Sequence, residues 1–448
     1  MHILIALIFA VFCLVCMAVV VRRPNIYTAF IAVSALFSLG YYAMPMVLID
    51  RSELRYLPES ELVAVITMAL MFFVSLVAGF AAMRRIGWQA PAMQLPALDT
   101  MLERYWWGGA ILSNAITIAY NATATLTFYQ TQAVEEFVAQ RSVFSALLSF
   151  FAMFAKALAA CYLARSIVER SIVKIVFCLA CMFVQVAQVI GGANRLLFIT
   201  PMVLAFAAII AMRQFRTAGI VLSSTIAALL VFSPFAVALR AGAWNSTQDI
   251  QAKTFTYGQD PVDTVLQSIV DRGDILNSMA MLKTYTDRNG RVGLPYYMSV
   301  AVIPIPRAIF PDKPAILSAD GRQETEASVL VWRLKMGNSL GSLTAFGAVV
   351  AYREGGWGWV PVNGVLAGAL FAIFLGVFGR GGIIGHAFFA MAFLSWAIQK
   401  VPPSLMEAMA TVMTYLPLVF GLYAINWVLM QASSLRRDRY YSPYYKPF

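Results

Sequence analysis

Long apolar runs alternate with short polar connectors along most of the chain. The runs near the ~20-residue length that crosses a bilayer are Ile3–Val21, Ile26–Ile49, Leu62–Ala82, Trp106–Thr125, Phe144–Ala164, Ile175–Ile190, Leu196–Met212, Ile220–Leu239, Trp359–Phe378, Ile383–Ile398 and Met409–Met430. They predict an all-α polytopic membrane protein of about eleven transmembrane helices, with its two ends on opposite sides of the membrane. Arg22 and Arg23, Arg84 and Arg85, Arg165 with Arg170 and Lys174, Arg213 and Arg216, Arg380, and Arg436, Arg437 and Arg439 fall in every second connector or in the tail. Cytoplasmic connectors are the ones enriched in Lys and Arg, so Met1 is expected outside and the C-terminus inside. Met1–Val21 lacks a basic leader and is followed by two arginines, so it reads as a retained first span and not as a cleaved signal.

This topology divides the chain into helices one to eight over 1–239, a long outer segment over 240–356, and helices nine to eleven with a cytoplasmic tail over 357–448. The segment from Arg240 to Glu354 carries twelve Lys/Arg and eleven Asp/Glu, half of the 22 acidic residues in the protein. Connectors well over about 15 residues are usually functional or domain-like. Within it, the apolar positions of Asp263–Ala280 predict an amphipathic helix. Pro295, Pro304, Pro306, Pro311 and Pro314 then interrupt regular structure. Leu340–Ala351 is apolar but too short to span, and Arg353 and Glu354 follow it. A re-entrant or interfacial half-helix there leaves the topology intact. Its start, Gly337–Ser342, would offer backbone N–H groups to an anion, or be an ordinary cap supplied by Asn338 or Ser339.

Composition agrees with this reading. The chain has 448 residues, 60% hydrophobic and 12% charged, against about 25% charged in soluble proteins. Most of the +11 net charge lies in the short connectors, where it meets anionic lipid; it is too sparse for a nucleic-acid face. All five cysteines lie in apolar runs, and the Cys178-x-x-Cys181 spacing falls inside one of them, so neither a disulfide nor a zinc site is expected. There is no P-loop, H-x-x-x-H or G-x-G-x-x-G. That argues against ATP-driven transport, zinc hydrolysis and dinucleotide chemistry, and no cofactor is expected. No D-x-D-like pair on an early outer loop points to a metal-bound sugar donor. His2 and His386 do not form a catalytic pattern.

Three outer features carry candidate chemistry. Arg195 follows the turn Gly191-Gly192-Ala193-Asn194 at the outer mouth of a span. A guanidinium beside close-approaching backbone donors can grip pyrophosphate; it can also anchor to a lipid headgroup. Arg307 and Lys313 project from the proline frame Ile303–Pro314, which would hold two cations at low entropic cost or cap the bundle as a structural hook. The remaining outer charges include Arg141, Arg272 and Arg291, with carboxylates such as Asp320 and Glu324. An acceptor hydroxyl needs a base, and the sequence does not choose among these acids; each is individually also a plain surface charge.

The turn Gly191–Arg195, the stretch Pro304–Pro314 and the run Gly337–Trp359 resemble bacterial polysaccharide repeat-unit polymerases of the O-antigen and enterobacterial common antigen type. Where relatives carry a Gly-x-Arg pair, this chain has Gly192-Ala193-Asn194-Arg195, which displaces the arginine by one. The resemblance implies a metal-independent inner-membrane glycosyltransferase, similar to the integral GT-C-like enzymes, with 240–356 as a periplasmic catalytic loop. Its substrate would be undecaprenyl-pyrophosphate-linked oligosaccharide. The growing glycan would pass from its lipid carrier to an incoming lipid-linked unit. Arg195, Arg307 and Lys313 would neutralise the pyrophosphate; Arg141, Arg272, Arg291, Asn338 and Tyr296 would bind the headgroups and sugars, with Glu324 or Asp320 as acid/base. Implied partners are membrane lipids, a chain-length regulator (co-polymerase) and a flippase, with no nucleic acid.

Two other functions remain. An O-antigen ligase-type transferase would present a similar outer face, and a histidine on the outer loop would favour it; none is there. A transporter or flippase of lipid-linked sugars would need charges near mid-membrane, where Lys156 is the visible exception.

Overall fold

The computed structural model describes residues 1–48, 57–86, 91–130, 143–190, 195–225, 273–293, 297, 330, 347–399 and 402–440. Every element described is helical. The helices are α1 (His2–Arg22), α2 (Ile26–Val47), α3 (Glu59–Arg85), α4 (Pro96–Arg104), α5 (Trp106–Gln130), α6 (Val143–Val168), α7 (Ile172–Ile190) and α8 (Arg195–Ala211). They continue with α9 (215–225), α10 (Gly273–Asn289), α11 (Gly347–Gly355), α12 (Trp359–Phe378), α13 (Ile383–Phe393, prolonged by the π-helical Leu394–Gln399) and α14 (Leu405–Tyr440). Among the described residues six helices are long and apolar enough to cross a membrane: α1, α2, α3, the Phe151–Val168 part of α6, α12, and the Leu405–Ala432 part of α14. The protein is therefore an α-helical membrane protein. Of the run Ile220–Leu239, only the first residues lie within the description.

α3 packs closely against α12, and glycines allow the approach. Gly364 and Gly368 stand four apart on α12, the small-xxx-small spacing that lets backbones approach. A Cβ at Gly364 would lie 2.6 Å from the Phe72 carbonyl oxygen, and one at Gly368 would overlap that of Leu76. Gly79 of α3 returns the contact, since a Cβ there would overlap the Val365 carbonyl. Beside this seam lies an aromatic core. Phe30 stacks on Phe80 at 5.8 Å and meets Phe371 and Phe393 edge-on, while Trp396 stacks on Phe371 at 4.5 Å. In α2 the π turn Leu39–Ala43 precedes Pro45, which has no N–H to continue an α-helical ladder; the Met44 N–H reaches back to Leu39. The first helix belongs to this core through Phe9 and Cys13, while its Leu4, Val11 and Val15 face outward. On α14 Phe420 and Trp427 are 67% and 63% exposed, the surface expected to face lipid.

Contacts sort the bundle into two ends. The Met1 ammonium meets Glu59 at 2.9 Å, and Lys283 of α10 meets Glu61 at 3.2 Å, so the starts of α1 and α3 share an end with α10. At the opposite end Arg84 lies over the Tyr27 ring at 5.2 Å, and Arg165 pairs with Glu103 and Glu169. That end is tied through the short helix α4, which the run pattern does not predict. Asn426 of α14 accepts from the otherwise unpaired N–H groups of Ala97 and Leu98 at 3.1 Å. Asp99 accepts from Ile384 N at 3.2 Å, at the start of α13.

The half-helix runs past its expected end, and its last turn is buried. Its described part is Gly347–Gly355, about 13 Å at 1.5 Å per residue, too short to span. Arg353 and Glu354 do not mark a polar exit from it. They form its last turn and are 2% and 3% exposed. The described part of the predicted amphipathic helix, from residue 273, is helical and runs on as α10 to Asn289, with Leu276, Met279, Ala280 and Leu282 buried; residues 263–272 lie outside the description.

Candidate functional site

A nine-residue helix buries two charges only if both of its ends are held, and here both are. At its start, Gly347 lies flush on the chain entering α14. A Cβ would overlap the backbone of Pro402–Ser404, and the Gly347 N–H donates to Pro402 O at 3.2 Å. At its end Gly356 takes φ +80°, where glycine is favoured, and its N–H closes on Tyr352 O at 2.7 Å. The carbonyls of Arg353 and Glu354, which no further helical turn can satisfy, accept from Val292 N and Gly293 N at 3.0 and 3.1 Å.

Within this frame the Glu354 carboxylate receives its donors on one oxygen. Oε2 accepts from Asn363 Nδ2 at 2.7 Å, Trp359 Nε1 at 3.1 Å, and the hydroxyl of Tyr297. Trp359 and Asn363 are four apart in the first turns of α12, hence on one face, and the Tyr297 ring meets Trp359 edge-on at 6.3 Å. The Asn363 amide is oriented from both sides. Its nitrogen faces the carboxylate and Tyr297, and its oxygen accepts from Leu405 N at 2.7 Å. That N–H belongs to the first turn of α14, where Ser404 and Glu407 form a reciprocal capping box. The other carboxylate oxygen, Glu354 Oε1, is buried and has no hydrogen-bond partner among the described residues. Burial pushes the Glu354 carboxyl up to about 7, against the pull of the Tyr297 and Trp359 hydrogen bonds, and nearby Glu407 adds to the rise. A carboxyl so placed is balanced between its two protonation states at neutral pH.

A second polar group lies where α11 meets α10. Tyr352 donates to Asp287, and Lys283 bridges Asp287 at 2.8 Å and Glu61. Burial opposes ionisation of Asp287, but the Lys283 and Tyr352 hydrogen bonds outweigh it and hold the carboxyl below its ordinary range. Arg291 is solvent-exposed, and its guanidinium lies across Gly356.

Of the residues singled out from sequence, Arg291 is brought to this half-helix. Arg195 is the first residue of α8, its side chain outside the description. Arg141, Arg272, Tyr296, Arg307, Lys313, Asp320, Glu324 and Asn338 also lie outside the described residues. Tyr297, the neighbour of Tyr296, is the aromatic that reaches the carboxylate. Lys156 lies against the Tyr120 ring, 5.6 Å from its centroid, and His386 is on α13. Sequence reasoning missed Glu354, Trp359 and Asn363. The signal was an asparagine inside an otherwise apolar run, since a polar amide there demands a partner.

No known protein family, characterised protein or solved structure matches the chain.

Proposed function

We propose that this protein is an integral-membrane glycosyltransferase with about eleven spans that polymerises undecaprenyl-pyrophosphate-linked oligosaccharide repeat units. The growing glycan is transferred from its lipid carrier to an incoming lipid-linked unit on the periplasmic face of the bacterial inner membrane. One observation carries this reading beyond the sequence resemblance: the buried ionisable cluster around Glu354 lies at the Met1 end of the bundle, away from the arginine-rich end. By the bias of basic residues toward the cytoplasm, the cluster faces outward, where lipid-linked sugars are joined. A transporter gathers its polar groups near mid-membrane, whereas this cluster lies at the start of α12, by one end of a span.

The reading assigns Arg195, Arg307 and Lys313 to charge neutralisation at the breaking C–O bond, with the whole fold as a GT-C-like, metal-independent scaffold. Purified protein in liposomes, given undecaprenyl-pyrophosphate-linked repeat units, should elongate them without ATP or added divalent metal. A deletion strain should accumulate single lipid-linked repeats and lack long polymer. Absence of elongation by active, folded protein defeats the proposal. Loss in chelator with recovery in magnesium or manganese defeats its metal-free part. Transfer of finished chains to a different acceptor, with no elongation, would instead identify a ligase.

A further inference from the structure

Glu354 combines an oriented carboxylate, donors gathered on one oxygen, and a second buried oxygen without a partner among the described residues. Leaving such an acceptor unsatisfied is costly. The cost makes sense if a ligand supplies the donor. Three donors on Oε2 fix the plane of the carboxylate, so Oε1 is aimed rather than free to rotate. Resting on the polymerase reading above, we infer that Glu354 is the catalytic base that takes the proton of the acceptor sugar hydroxyl.

The step balances without a cofactor. The acceptor oxygen forms a bond to the anomeric carbon of the donor glycan as the bond from that carbon to the pyrophosphate oxygen breaks. The electron pair of the broken bond leaves on the lipid pyrophosphate, and the hydroxyl proton goes to Glu354 Oε1. Tyr297, Trp359 and Asn363 are positioning residues, holding Oε2 from three directions. Arg291, an exposed residue, lies with its guanidinium across Gly356 at the end of the same half-helix, a cation beside the site for the departing pyrophosphate.

After burial, the groups that set the charge state of Glu354 are Tyr297 and Trp359, whose hydrogen bonds lower its carboxyl, Glu407 at the start of α14, which raises it, and Arg353 on its own helix, which lowers it. On the far side of Tyr352 the Asp287–Lys283–Glu61 set and Arg291 balance one another. With burial dominant, a base balanced near neutrality gives elongation an acid limb: activity is lost as pH falls and the carboxyl is protonated.

The test is reconstituted elongation of undecaprenyl-pyrophosphate-linked repeat by wild type, Glu354→Gln and Glu354→Asp between pH 5.5 and 8.5. Wild type should show an acid limb with its midpoint near 7. Glu354→Gln should lower kcat by about 100-fold or more, with KM for the lipid-linked repeat little changed and the limb abolished. Glu354→Asp should recover part of the rate and retain a limb. A flat wild-type profile overturns the inference, a result that needs no variant to fold. Glu354→Gln elongating at the wild-type rate, or losing activity through KM alone, overturns it too and leaves the polymerase reading standing. No elongation by wild type at any pH brings down the reading, and the inference with it.

Discussion

Replacing Glu354 by glutamine tests the burial of its carboxyl independently of any activity. The carboxyl is raised from an ordinary 4.5 to about 7, chiefly by desolvation. Between those values the folded protein keeps a proton that the unfolded chain releases. The sign follows from that imbalance. The stabilising contribution is complete below the ordinary carboxylate value and is lost as pH climbs through the folded one. At about 1.4 kcal/mol per pH unit, the folded state should lose about 3 kcal/mol across the interval. Asp287 works the other way: its depressed carboxyl stabilises the fold above the ordinary range and stops doing so as pH falls through the folded value. It is common to both proteins, so the wild-type minus Glu354→Gln difference isolates Glu354. Unfolding in mixed detergent micelles, followed by tryptophan fluorescence from pH 4.5 to 8, should give a difference that declines by about that amount and levels off above neutrality. A difference that stays flat, or rises with pH, would refute the assignment of Glu354 as a buried, desolvated acid.

Asn363→Ala removes a bridge among Glu354, Tyr297 and Leu405 N; losing one hydrogen bond to a carboxyl and two to neutral groups should cost about 2–5 kcal/mol, and an unfolding midpoint equal to wild type would contradict it. Gly368→Leu must displace the Leu76 carbonyl, an overpacking of about 1–3 kcal/mol or more, so folded yield on size-exclusion should fall well below that of a matched change at Gly40, which has open space. Arg195→Ala, Arg307→Ala and Lys313→Ala should each slow elongation about 30-fold to a few thousandfold, or about 2–5 kcal/mol of transition-state binding, with Arg195→Lys a partial rescue for want of the planar fork; wild-type rate in Arg195→Ala would make that residue a lipid anchor. Lys156→Met should elongate nearly normally, and a severe defect in lipid-linked sugar movement instead would favour transport.

The helical framework was legible because a span is specified locally. Twenty or so apolar residues bounded by charges leave the backbone little choice in lipid, and the runs at Ile3–Val21 and Trp359–Phe378 reappear nearly unchanged as α1 and α12. The short helix α4 did not show, since its apolar face is small and its fit depends on Asn426, far along the chain. Nor did the seam between α3 and α12 enter the reading, although Gly364 and Gly368 carried its spacing in plain view.

The site was hidden for a different reason. In a one-dimensional pattern, Arg353-Glu354-Gly355-Gly356 has the form of a polar exit from an apolar run, because charges usually stop at the membrane surface. What turns that exit into an interior is tertiary. Val292 and Gly293 arrive from upstream to take the last carbonyls, Pro402–Ser404 seals the start, and Asn363 reaches in from the next helix. None of those partners has a spacing relation to Glu354 except Trp359 and Asn363, which follow it at five and nine residues. Those two were the readable trace. An indole and an amide four apart at the head of an apolar helix share one face and both donate, and the carboxylate that stands just before that head in the sequence is Glu354.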